Sequence, residues 1–152
     1  MKKSLLLLAF FVTGFVFAAD IPRVEVPTVA ERMANARNAI KTSNWRAAMA
    51  ELNVAIKEEP RNADAHNLLA YSYRKQAKPD LAKAFEHYNI ALKLDPKHRG
   101  AHEYIGEAYL MDKKPAEAEQ HLAELEKICG NKTCEEYADL ARALADYKAK
   151  NK

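Results

Sequence analysis

The chain has 152 residues, with 24 basic and 21 acidic side chains and a formal net charge of +3, so it holds one domain or a short array and carries no nucleic-acid footprint. Lys2 and Lys3 fall in a segment read below as an export signal; without them 22 basic residues face 21 acidic ones, a net of +1. Only four glycines occur, and a Gly-rich phosphate loop, G-x-S-x-G and H-E-x-x-H are all missing, so neither an enzyme nor a cofactor is expected.

Met1 to Ala18 reads as a cleavable signal peptide. Lys2 and Lys3 form its positive start, Leu5 to Phe17 its apolar run, and Val16-Phe17-Ala18 a small-residue cleavage site. The run is shorter than the ~20 residues that span a bilayer, so a periplasmic location is expected, with no stable membrane insertion after signal removal. Residues 19–28, including the two prolines of DIPRVEVP, form an extended lead-in.

Helices are expected over Val29–Thr42, Trp45–Glu58, Ala63–Gln76, Pro79–Leu94, Arg99–Met111 and Pro115–Ile128. Thr28 and Glu31 have capping-box spacing, and Ser43-Asn44 breaks the first helix and caps the second. Pro79 and Pro115 suit first-turn positions, where a missing N–H costs nothing. Residues 129–152 form a closed turn and a seventh helix, with Thr133 and Glu136 spaced as a second capping box. Tyr137, Leu140, Ala141, Leu144 and Tyr147 make one apolar stripe, and Glu135, Asp139, Arg142, Asp146 and Lys148 the polar side, as a terminal cap requires.

Cys129 and Cys134 are the only cysteines. In an exported chain a disulfide is the simplest reading, and a thiol-redox or metal-handling pair is the alternative. The C-x4-C spacing is wider than a C-x2-C redox motif, and no second cysteine pair completes a zinc site. His66 and His102 occupy matching positions, as do His87 and His121, but equivalent positions lie one repeat apart, too far for one ion. No metal site is expected.

The repetition organises the chain. Leu69-Ala70-x2-Tyr73, Ala84-x3-Tyr88, Ala91 and Pro96 are echoed upstream by Ala36, Ala48, Leu52, Ala55 and Pro60, and downstream by Ile105, Gly106, Tyr109, Ala118 and Leu122. The copies are 29–62, 63–98 and 99–128, the second carrying two extra residues in Lys75–Asp80. This pattern resembles the tetratricopeptide repeat family, although Asn35 and Ala39 stand where that family prefers large residues and Gly130 stands where the third copy should have its proline. The resemblance implies an all-α, right-handed α-solenoid of three helix pairs plus a C-terminal capping helix. Small residues at Ala48, Ala70, Ala84, Gly106 and Ala118 would let the paired helices approach.

By the same resemblance the first helix of each pair lines a concave groove. Its positions here are Met33, Arg37 and Ile40, then Asn67, Tyr71 and Arg74, then Glu103, Glu107 and Leu110. The positions of the family's carboxylate clamp hold Met33, Arg37, Leu68, Gly100 and Tyr104, which disfavours that ligand. Arg37, Tyr71 and Arg74 map to one wall between copies one and two, outside the helix-pair core, and suit a carboxylate beside an apolar side chain. The function expected is a non-catalytic module that binds a protein or peptide partner, as scaffold or as assembly or chaperone adaptor.

Overall fold

The computed structural model describes residues 25–151; the signal-peptide assignment lies outside them, as does most of the lead-in, whose described part, Glu25–Thr28, is neither helix nor strand. Seven helices follow: α1 (Val29–Lys41), α2 (Trp45–Glu58), α3 (Ala63–Lys75), α4 (Leu81–Leu94), α5 (Arg99–Met111), α6 (Pro115–Cys129) and α7 (Glu135–Lys150). None of the described helices is long and apolar enough to cross a membrane. Helices α1/α2, α3/α4 and α5/α6 pack as consecutive pairs, each pair stacks on the next, and α7 lies against both α5 and α6. The fold is an all-α solenoid.

Local chemistry explains most boundaries. The Thr28–Glu31 capping box forms, and the side chains of Asn44, Asn62 and Asp80 accept from backbone N–H groups three residues on. Two boundaries depart from expectation. Pro79 is not in the first turn of α4; Asp80 is the N-cap, its carboxylate accepting from Lys83 N at 3.1 Å, and the helix starts at Leu81. An acidic cap satisfies an orphan donor, which proline at that place could not do. At α7 the cap is Cys134 and its side chain makes no capping bond. Thr133 instead donates both its N–H (2.8 Å) and its hydroxyl (2.9 Å) to Asn131 Oδ1, and Glu136 reaches Arg99 at 3.4 Å. The short ring closed between Cys129 and Cys134 turns Thr133 away from the helix it was expected to cap.

The turns inside copies one and three are the same turn. Ser43 and Lys113 both sit at positive φ (54° and 58°), each followed by an N–H that returns to the preceding helix. Copy two spends its two extra residues on a wider connection, closed by Asp80 N–H donating to Tyr73 O at 3.0 Å. Gly130, at φ 68°, ends α6 in the left-handed conformation that glycine takes without a Cβ penalty.

Ala48, Ala70, Ala84 and Ala118 are fully buried between helices, beside Leu52, Leu69, Tyr88, Ile105 and Leu125. Gly106 plays a different part from the one expected. A Cβ there would meet Leu140 of α7 at 2.6 Å, so the missing side chain makes room on α5 for the capping helix rather than for its pair partner α6. Leu140 and Leu144 of the apolar stripe are buried by this contact.

Candidate functional site: the concave wall of the first helices

The nine groove positions divide by depth. Met33, Asn67, Arg74, Glu103 and Leu110 are buried, Ile40, Tyr71 and Glu107 are half-buried, and Arg37 is exposed. Met33 belongs to the core of the first pair, with Ile40 packed on it, and Leu110 packs with Ala118 and Leu144 under the cap.

Arg74 is not free for a ligand, contrary to its expected place outside the core. Its guanidinium lies 2.6 Å from Glu107, and Nε donates to the buried Tyr88 hydroxyl at 3.3 Å. Tyr71 and Tyr104 flank it, at 5.3 and 5.7 Å from ring centroid to guanidinium carbon. The reason is the offset between neighbouring first helices. Register pairs Tyr71 with Glu107, but the helices meet one turn lower, so Tyr71 contacts Tyr104 (4.8 Å between centroids) and Arg74 contacts Glu107, both 33 residues on.

Arg37 belongs to a different neighbourhood. It lies 3.5 Å from Asp64, at the start of α3, and Asp64 also meets His98 Nε2 at 3.0 Å. Asp64 and Arg74 are ten residues apart on α3, about 15 Å along the axis. Two aromatic residues outside the nine groove positions join the wall, and of these Tyr104 entered above only as a departure from the family's carboxylate clamp. Trp45 packs edge-on against Tyr71 at 6.1 Å and Tyr104 continues the line on α5. Trp45 starts a second helix, a position the groove pattern does not include; a 33-residue offset would have found Tyr104.

Glu103 is the anomalous charge. Burial first, then the carboxylates of Glu107, Asp139 and Glu136, push its carboxyl up to about 8, with Arg74 opposing. Burial and then Glu103 push the neighbouring Tyr104 hydroxyl up to about 12.

Family comparison agrees with this architecture. A model described as tetratricopeptide repeat matches residues 33–98 and 80–132. The chain belongs to the tetratricopeptide repeat family. Among solved structures it resembles the Yersinia enterocolitica type III secretion translocator chaperone SycD (TM-score 0.72, 17% identity, 86% of this chain and 98% of that one). It also resembles the TPR2B domain of yeast Sti1, solved as a complex with pHsp70 (0.71, 17%, 80% and 97%). A third is the first TPR of Spaghetti (RPAP3) bound to an HSP90 peptide (0.68, 17%, 80% and 93%). No curated protein matches the chain.

Within this tetratricopeptide repeat array the histidines pair inside a copy and not between copies. His66 Nδ1 stands 3.0 Å from His87 Nδ1, and His102 Nδ1 stands 2.9 Å from His121 Nδ1. The Nε2 atoms of His66 and His102 lie 3.2 and 3.1 Å from the carbonyls of Pro60 and Pro96. A carbonyl only accepts, so His66 and His102 carry their proton on Nε2 and accept at Nδ1 from the partner ring. Tyr73 and Tyr109 stack on His87 and His121. Full protonation of His66 or His102 would set two N–H groups against each other. Burial lowers the pKa of His66 and, before the neighbouring histidine, that of His87; the same causes bring His121 to about 4.

A depressed folded-state pKa means the unfolded chain binds more protons as pH falls. The stabilisation is therefore complete above about 6.5 and lost as pH falls from there toward about 4. The His121 shift alone corresponds to at most ~3 kcal/mol, reduced to roughly 1–2 by its partial exposure to solvent. The thermal midpoint is expected to drop on acidification across that window. A His87→Gln/His121→Gln variant should show a shallower drop, and parallel curves for the two proteins would remove the histidine pairs from the acid response.

Cys129 and Cys134 are bonded to each other, with S–S 2.07 Å and Cα–Cα 6.3 Å. Glu136 is their one close acidic neighbour among the described residues, and its carboxylate is shared with Arg99.

Proposed function

We propose that this chain is an exported, periplasmic, non-catalytic module that binds a protein or peptide on the concave face of its first helices, as a scaffold or chaperone-like adaptor. The carrying observation is the line Trp45–Tyr71–Tyr104, partly exposed aromatic rings held on three different helices in one wall. Large rigid rings contribute contact area at small conformational cost and recur as binding anchors. Two similarly folded structures, one solved as a complex with pHsp70 and one bound to an HSP90 peptide, offer a precedent for the scaffold; the ligand here is argued from this chain's own residues. Export is supported by the charged and apolar character of Met1–Ala18 and by the paired cysteines.

The test begins with capture from periplasmic extract, followed by calorimetric titration of the isolated partner. Tyr71→Ala combined with Tyr104→Ala should weaken binding by about 2 kcal/mol or more, with unchanged helicity. Arg74 is left intact because the fold uses it. Equal affinities would sink the concave-wall assignment.

A further inference from the structure

We propose that the groove receives a basic side chain, a lysine or arginine of the partner, at Glu103; this deepens the binding role proposed above and rests on it. Along this wall the other carboxylates have cations. Glu107 has Arg74 at 2.6 Å, Glu136 has Arg99 at 3.4 Å, and Asp139 has Arg142. Glu103 is 8% exposed; its carboxyl oxygens are not among the sealed polar atoms, and no ion pair or hydrogen bond to a described residue holds them. A buried carboxylate without a donor is costly to ionise, and a cation brought by a partner would remove that cost.

A second acceptor stands on the same wall. Asn67 is 4% exposed, and its buried Oδ1 has no hydrogen-bond partner. Its amide lies against α5 at Gly100, where an added Cβ would be 3.4 Å from Nδ2, one turn before Glu103. Asn67 Oδ1 and the ionised form of Glu103 are both acceptors, which a donating ligand would match. An ammonium or guanidinium supplies several N–H donors and the missing charge, while its alkyl stem can lie on the Tyr71 and Tyr104 rings. An acidic ligand would add a further negative charge, and Arg74, the cation facing this place from α3, is already held by Glu107 and Tyr88.

Protonation gives the inference a signature. Glu103 faces Glu107 on its own helix, Asp139 and Glu136 on α7 and Arg74 on α3; with burial, the net effect holds its carboxyl at about 8. A bound cation must displace that proton. Affinity for a basic side chain should therefore rise with pH, by about tenfold between pH 7 and pH 9.

The experiment uses the full mature chain, isotopically labelled, titrated by NMR with the capped peptide Ac-AKAAKA-NH2 and with analogues carrying norleucine or glutamate for lysine. The expected result is shifts at Asn67, Glu103 and Tyr104 with the lysine peptide, strengthening from pH 7 to 9. Glu103→Gln, which keeps the side chain's shape, should weaken binding at pH 9 at least tenfold and abolish the pH dependence. Equal binding of the norleucine peptide, tighter binding of the glutamate peptide, or an unaffected Glu103→Gln protein would overturn the cation site while leaving the concave wall as the binding face. If no peptide shifted any residue of the wall, the site would fall together with the binding role on which it rests.

Discussion

Arg74→Ala is expected to cost about 2–4 kcal/mol of folding stability. Removing one partner of a buried ion pair typically costs ~3–5 kcal/mol, because the other charge is left without compensation. Here Arg74 is 5% exposed but Glu107 is 28% exposed, so water recovers part of the loss. The substitution also leaves the Tyr88 hydroxyl without its donor inside the core, where burial already pushes its pKa upward. It further leaves Glu107 beside Glu103 with no cation between them. Denaturant titration would measure the loss, and Arg74→Met with Glu107→Gln should recover part of it by removing both charges and keeping the bulk. A change below about 0.5 kcal/mol in Arg74→Ala would mean that aromatic packing alone holds the wall.

Gly106→Leu should be comparably damaging, at about 3 kcal/mol, the upper end of the range for overpacking. A Cβ at this position would stand 2.6 Å from Leu140 Cδ2 and 2.8 Å from Cδ1, and Leu140 is itself fully buried. Leucine adds three more carbons to a space that lacks room for one. The damage has a direction: α7 should lift from α5 while α1 and α2 keep their packing. Hydrogen exchange is the measurement, with faster exchange expected over Tyr137–Tyr147 and little change in α1. Uniform acceleration along the chain would show that the cap is not an independent unit. An unchanged thermal midpoint would show that α7 does not need this close approach.

Much of the architecture is written in local chemistry. Thr28 with Glu31 and Asn44 announce helix starts because a side-chain oxygen three residues before a free N–H satisfies it wherever the rest of the chain lies. The small residues Ala48, Ala70, Ala84 and Ala118 and the large Leu52, Leu69 and Tyr88 fall on the buried face because helical periodicity assigns each position a side. The same periodicity makes α7 a cap, with Leu140 and Leu144 inside and Arg142, Asp146 and Lys148 outside.

The contacts between helices needed the tertiary structure. Register aligns Tyr71 with Glu107 and Asn67 with Glu103, but the one-turn stagger between α3 and α5 joins Tyr71 to Tyr104 and spends Arg74 on Glu107. His66 resembles His102 by position, yet it meets His87 across the α3–α4 pair, which periodicity within one helix cannot show. Even a correct local motif can lose to such contacts: Glu136 had the spacing to cap α7, and Arg99 of the preceding copy took its carboxylate. Helix faces follow from one chain segment and its own periodicity, so the sequence alone determined the helix pairs and the capping helix α7, though not every helix start. Which buried carboxyl of the wall lacks a cation depends on offsets among three helices at once, so only their packing decided that it is Glu103.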